Sequence, residues 1–376
     1  MRRGIWTTGS QAVTNDLRVL LLSRYAARGA SSRVRMYQYL DPLAAAGIAV
    51  TPAPLFTDLD LAHRYATGGY AWRGVAAATA RRLSALAGRG RYDTLWIEYE
   101  LLPFAPAAVE RLLVAGGPPY VVEYDDAVFH RYDQHRSPWV RRLFGRKIDQ
   151  VMRGAAVVVA GNDYLAARAR AAGAREIAVI PSVVDLDGYP EAPPSSARPP
   201  VIGWIGSPST ASSLDAIAGA LTRACAGGRA RVVLVGVAPG RQWPFPCEER
   251  PWIVGGEAAE IAAFDVGIMP LADDPWSRGK CGYKLVQYLA CGRPAVASPV
   301  GVNPHIVVPE VTGLLASSED EWVAALERLL GDPGLRDRLG RAGRAHVAAR
   351  FTLSRTAPLV AAALRRAAGG ATTCAA

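Results

Sequence analysis

The chain has 376 residues, half of them hydrophobic and a fifth charged, with a formal net charge of +10. That composition excludes disorder, leaves room for two domains with their own cores, and suits a phosphorylated substrate or an anionic membrane surface. Five widely spaced cysteines without a C-x-x-C pair argue against a zinc site or a disulfide framework, and no aromatic–basic run marks a nucleic-acid module.

Residues 1–16 read as a short leader, too polar for a signal-peptide core, and no apolar run reaches the length of a membrane span. A cytoplasmic protein is expected, at most peripheral at the inner face of the plasma membrane. Strand-like runs follow at Leu17–Ser23, Ile48–Thr51, Thr94–Glu98, Tyr120–Glu123, Ala156–Ala160 and Ile177–Ile180. Helical patterns lie between them, for example at Ser32–Ala46, Ala71–Ala87 and Pro138–Met152. This alternation predicts βαβ units and a parallel sheet. Asp185–Pro200 is dense in proline and reads as a linker or hinge. The rhythm restarts with strands at Val201–Ile205, Val232–Val235, Val266–Met269 and Ala295–Ser298, and helices at Ser212–Cys225, Glu319–Leu330 and Leu335–Arg350. A last amphipathic segment, Leu353–Ala368, precedes a soft tail. The predicted fold is α/β, with doubly wound domains over 1–185 and 201–352, a linker over 186–200 and a terminal segment over 353–376. Their ligand cleft should lie between the carboxyl ends of the two sheets.

Pro270–Asn303 carries the densest chemistry. Lys280, Lys284 and Gln287 stand at i, i+4 and i+7. A helix beginning near Cys281 therefore puts Lys284 and Gln287 on one face, with Lys280 at its mouth. Gly292, Arg293 and Pro294 end that helix. A helix N-terminus beside two lysines attracts an anion, so a bound phosphate is expected. Gly301, Val302 and Asn303 then form a small loop that lets backbone approach a ligand, or else a plain surface turn.

In the first half, Gly29, Ser31 and Ser32 suit a tight turn and an N-cap, with Arg33 and Arg35 in the first helical turn. Those residues fit a phosphate or carboxylate, or an ordinary capped helix. No G-x-G-x-x-G and no P-loop is present; the loop after Val201–Ile205 offers Ser207, Ser209 and Ser212 instead. Asp125 and Asp126 end the run YVVEYDD at the cleft. One of them can accept a proton or hold substrate hydroxyls, unless Asp126 caps a turn and Asp125 is solvated. Glu98, Tyr99 and Glu100 end the preceding strand in the same way, either lining the same cleft or simply leaving the sheet as polar residues. His130 and His135 lack further metal ligands and are expected at the surface. Trp139, Arg141, Arg142, Leu143, Arg146 and Lys147 read as a basic helix with apolar positions between, either solvated or lying on anionic lipid.

The succession GASSRVRMYQYLDPLAAAGI, YVVEYDD, IPSVVDLDGYP, IGWIGSPST and DVGIMPLADDPWSRGKCGYKLVQYLACGRPAVASPVGVN resembles the family 4 glycosyltransferases, retaining enzymes of the GT-B fold. The resemblance runs from Leu17 to about Ala368. It implies a UDP- or GDP-sugar donor, with Gly29, Ser31, Ser32, Arg33, Ser207, Ser209, Lys280, Lys284, Gln287, Gly301, Val302 and Asn303 as the residues to hold it. It implies a sugar or lipid-linked acceptor at Glu98, Glu100, Arg35 and Asp126, within cell-surface glycan synthesis. Asp125, Asp126, Lys280 and Lys284 are the implied catalytic set, with no cofactor and no divalent metal. The last helix is expected to cross back onto the first domain. Aligned on Ala290–Cys291–Gly292, the family's two glutamates fall at Gly279 and Gln287, and its frequent histidine after the fourth strand falls at Asp125. Gln287 keeps the capacity to bond ribose hydroxyls, without charge. Two other functions suit the same architecture: a non-catalytic nucleotide- or glycan-binding protein, and a nucleotide-sugar epimerase, whose paired carboxylates and histidines are poorly supplied here.

Overall fold

The computed structural model describes residues 17–191 and 199–369. The leader 1–16, linker residues 192–198 and the tail 370–376, which holds Cys374, lie outside the described residues.

Twelve strands form two sheets. The first contains β1 (Leu17–Leu22), β2 (Ile48–Pro52), β3 (Thr94–Glu98), β4 (Tyr120–Tyr124), β5 (Val157–Ala160) and β6 (Ile177–Val179). The second contains β7 (Val201–Ile205), β8 (Arg231–Val235), β9 (Cys247–Arg250), β10 (Val266–Met269), β11 (Ala295–Ala297) and β12 (Gly313–Leu315). Their orders are β2-β1-β3-β4-β5-β6 and β12-β11-β10-β7-β8-β9, with parallel pairing throughout. The winding direction reverses between β1 and β3, and again between β7 and β10. At such a reversal the loops diverge and leave a crevice at the carboxyl ends. Helices cover both faces, so β3, β4 and β7 are buried along their whole length, which is why they read as unbroken apolar runs.

Three long helical patterns are broken in the folded chain. Ser32–Ala46 becomes helix Ala30–Arg35, a 3₁₀ turn over Tyr37–Tyr39 and helix Leu40–Ala45; Pro42 has no N–H with which to continue the earlier helix. Pro138–Met152 splits into Pro138–Phe144 and Lys147–Gly154. The split falls at Gly145, where a Cβ would lie 2.4 Å from the Arg141 carbonyl oxygen. Ser212–Cys225 is 3₁₀ over Pro208–Ile217 before it becomes helix Ala218–Cys225. Strands β9 and β12 were not expected. The first has no buried residue and the second is three residues long, so neither leaves an apolar signal.

The chain crosses between the sheets at two adjacent points: Val184 N–H bonds the Phe351 carbonyl at 3.1 Å, and Leu353 N–H bonds the Val184 carbonyl at 2.9 Å. Helix Leu353–Gly369 then lies on the first sheet. Tyr39 and Thr356 hydroxyls bond at 2.9 Å, Arg366 pairs with Glu176 at 2.5 Å, and Val360 and Leu364 are buried. Each of those two apolar side chains contributes about 1.5–3 kcal/mol by leaving water. One apolar core thus runs through both halves.

Candidate active site

The two crevices face each other, and a short second-domain segment, Gly279–Gly282, lies across the ends of β4 and β5. Asn162 holds it there. Its Oδ1 caps helix Asp163–Ala172 by accepting from Leu165 N–H at 3.0 Å. Its Nδ2 donates to the Gly279 and Lys280 carbonyls, each at 3.0 Å. Cys281 Sγ adds a contact of 3.1 Å to the Asp125 carbonyl. A Cβ on Gly279 would lie 2.6 Å from that of Ala127, and one on Gly161 would lie 2.3 Å from Cys281 Sγ. Both glycines are therefore required by the approach of the two domains.

This docking brings together the lysines and aspartates singled out above. Lys280 Nζ bonds Asp126 Oδ1 at 2.9 Å across the cleft. Burial works against the Lys280 charge, but Asp126 outweighs it and holds the ammonium above its ordinary pKa. Lys284 is in the opposite condition. It lies on helix Tyr283–Ala290 with its ammonium 5.2 Å from the centre of the Trp204 ring, beside Gly206. Among the described residues it has no hydrogen bond and no ion pair. Burial, and then repulsion from Lys280, lower its pKa to about 8. An unpartnered cation at a crevice is an anion site in waiting. The loop beside it keeps Ser207 half-buried and Ser209 exposed, their hydroxyls 3.0 Å apart. Ser31 and Val302 are also half-buried.

Asp125 is held by Tyr99, whose hydroxyl donates to Oδ1. Tyr99 adopts φ +64°, a left-handed conformation that is strained for an aromatic residue. Oδ2 of Asp125 has no hydrogen bond among the described residues, which leaves it for a ligand hydroxyl.

Several expected ligand contacts are corrected by burial. Ser32 donates to Glu98 Oε2 at 2.7 Å and accepts from Tyr25 N–H at 3.1 Å, so it braces a loop instead of meeting a phosphate. Glu98 is buried, with Oε1 unbonded, and burial pushes its pKa up to about 7. Glu100 is buried among Lys147 at 2.7 Å, Tyr132 at 2.7 Å and Arg24 at 3.6 Å. Neither glutamate opens onto an acceptor. Arg35 is buried against Glu123. Arg33 bridges the domains, pairing with Glu257 at 2.7 Å and lying 4.7 Å over Trp252.

In the second domain, Gln287 is buried and its Nε2 donates to the Tyr189 hydroxyl at 2.8 Å, which turns that donor to the crossing segment and not to a ribose. Asn303 is fully buried and donates to the Ser298 carbonyl at 2.9 Å, so it fastens a turn. Gly301 is required by the Arg278 carbonyl oxygen, 2.7 Å from where its Cβ would sit, and Gly29 by Tyr25 at 2.3 Å. Neither needs a ligand to explain it. His130 also departs from expectation: it bonds Asp133 and Tyr164, each at 2.8 Å, within the first domain.

Asn162 and Trp204 carry roles that the sequence does not assign, whereas Tyr99, expected beside the cleft, is found holding Asp125. Asn162 carries a usable signal, an N-cap residue directly after a valine-rich strand. Trp204 carries none, since it acts through a neighbour eighty positions away.

Two family models cover most of the chain. One described as "Glycosyl transferase 4-like domain" matches residues 16–182, and one described as "Glycosyl transferases group 1" matches residues 199–332. The chain belongs to the group 1 glycosyltransferases. Among curated relatives, the D-inositol 3-phosphate glycosyltransferase of Segniliparus rotundus is 38% identical over 91 residues, 24% of this chain and 20% of its own. That of Stackebrandtia nassauensis is 39% identical over 106 residues, 27% and 23% of the two chains. The match therefore spans only about a fifth of the length of these relatives. Among solved structures, a sucrose-phosphate synthase from Thermosynechococcus elongatus superposes with TM-score 0.71 at 18% identity, covering 93% of this chain and 98% of its own. The Anabaena protein HepE, solved with UDP and glucose, superposes with TM-score 0.67 at 15% identity, covering 93% and 99%. At such identities the superpositions carry the fold, and that fold is GT-B.

Proposed function

We propose that this group 1 family member transfers a sugar, with retention, from a UDP- or GDP-sugar to an acceptor in cell-surface glycan synthesis. Lys284 carries the proposal: an unpartnered ammonium at the crevice of the second sheet, beside a hydroxyl-rich loop and within reach of Lys280. Breaking the bond between the anomeric carbon and a diphosphate leaves new negative charge on the departing oxygen. Fixed cations already aimed at that point stabilise it with no reorganisation during the reaction. Lys284, without an ion pair among the described residues, serves this task, and Lys280 joins it once a ligand competes with Asp126. Asp125, with one oxygen held by Tyr99, orients the acceptor hydroxyl through the other. In this scheme the lysines take the place of a divalent metal on the diphosphate. HepE solved with UDP-glucose supports the choice of donor class, and the family supports retention.

The test is nucleotide release from a panel of UDP- and GDP-sugars with mixed glycan acceptors. At least one donor should turn over, undiminished by EDTA, and NMR of the product should show the donor's anomeric configuration. Binding of every donor without release, acceptor present, would remove the catalytic assignment. Loss of turnover in EDTA would remove the role given to the lysines. Lys280→Ala should cut turnover by roughly tenfold or more.

A further inference from the structure

We infer that the face built from helices Ala107–Val114 and Pro138–Phe144 docks on an anionic lipid bilayer, a role separate from the cleft. Helix Pro138–Phe144 rests on the core through half-buried Val140 and Phe144 and has no fully buried side chain. Trp139 is 71% exposed and Leu143 66%, and Leu112 is 74% exposed on helix Ala107–Val114, which like Pro138–Phe144 packs on helix Lys147–Gly154. Around them stand Arg111, Arg136, Arg141, Arg142, Arg146 and Arg153, which pair with no carboxylate among the described residues. Arg141 and Arg153 bond only backbone carbonyls. The nearby acids are already committed: Asp133 and Asp149 to Arg168 at 3.0 and 2.6 Å, and Glu110 to Lys147 at 2.8 Å. Asp133 and Asp149 share one guanidinium and so offset part of this charge, but the six arginines without an ion pair still leave a positive excess on one side of a chain whose net charge is +10.

Two adjoining grooves run through this face. One, of about 530 Å³, is lined by Arg111, Arg146 and Arg153 with Asp149, and the other, of about 650 Å³, by Arg141, Arg142, Arg146 and Arg168 with Asp133 and Asp149, so arginines outnumber carboxylates in both. Phosphate-bearing head groups match both the charge and the size of such grooves. The exposed apolar residues decide between kinds of polyanion. A nucleic acid would satisfy the arginines and leave Leu112 and Leu143 in water. A bilayer takes both, with tryptophan and arginine at head-group depth and leucine in the acyl boundary. No helix among the described residues is long and apolar enough to cross a membrane, so the contact lies in the surface plane.

The test is flotation of the full chain with vesicles of phosphatidylcholine alone or with about a third phosphatidylglycerol. Each arginine near an anionic surface is worth about a fivefold change in partition. Binding should therefore be at least tenfold stronger to the anionic vesicles and fall as salt rises. Arg141→Glu/Arg142→Glu should abolish it, and Trp139→Ala/Leu143→Ala should weaken it severalfold at low salt, where charge alone would be unaffected. Thermal unfolding of both variants should match the parent, since these side chains are exposed. Equal binding to neutral vesicles, full binding by the charge-reversed variant, or capture of double-stranded DNA in place of vesicles would each overturn the inference. None of these readings depends on transferase activity.

Discussion

Lys284→Met is expected to make the protein more stable while disabling it. An ammonium held at about 8 instead of its ordinary 10.5 costs the folded state about 3 kcal/mol when both states are charged. The sign follows from proton binding. Below pH 8 the folded protein carries the buried charge and pays the whole cost. Between 8 and 10.5 the unfolded chain binds the extra proton, so stability rises with pH, and above 10.5 the cost is gone. Methionine keeps the apolar stem beside Trp204 and removes the charge. Urea unfolding at pH 7 should show a gain on the order of 1–3 kcal/mol that shrinks by pH 10. Calorimetric titration should show UDP-glucose affinity falling at least tenfold in the variant. The parent's affinity should itself decline as pH rises from 7 to 9, while the variant's stays flat. A variant equally stable at both pH values, or one that still binds donor normally, would remove Lys284 from the site.

Arg35→Ala is expected to damage the fold, not acceptor binding. Arg35 donates to Glu123 at 2.7 Å and to the Ile180 carbonyl at 2.8 Å, tying β4 to the exit of β6. Trp96 Nε1 satisfies the other Glu123 oxygen at 2.9 Å. Burial pushes the Glu123 carboxyl up, and Arg35 is the main force pulling it back. Removing Arg35 leaves a buried carboxylate without its cation, a loss of about 3–5 kcal/mol. The melting temperature should fall on the order of 10 °C. Arg35→Met/Glu123→Leu should recover most of that loss, because two apolar side chains can replace a buried ion pair at little cost. A single variant that melts like the parent but loses transfer would restore Arg35 to the acceptor site.

The strands and the lysine segment are legible in the sequence to different degrees. The apolar runs marked ten of the twelve strands, because a parallel strand covered on both faces must be apolar along its length. The two strands they missed are a solvent-facing edge and a three-residue stub, which have no such requirement. The lysine segment was legible because helical spacing, a Gly–Arg–Pro stop and small-residue loops are local properties. Burial is not local. Ser32, Glu98, Glu100 and Arg35 look like ligands on paper because polar residues at strand ends usually face a cleft. Here Glu98 bonds Ser32 and Glu100 bonds Lys147, partners distant in the chain.

What the sequence determined by itself was the alternation of strand and helix, the division into two parallel sheets and the small set of charges available for chemistry. Those follow from periodicity and composition, which the chain carries residue by residue. What only the tertiary structure decided was which charges remain free. Lys280 found Asp126, 154 positions away, while Lys284 found no hydrogen bond and no ion pair among the described residues. Nothing in the spacing of the two lysines distinguishes them. The difference arises because Asn162 and two glycines hold the domains at one approach, and that approach puts a carboxylate beside one ammonium and an indole ring beside the other.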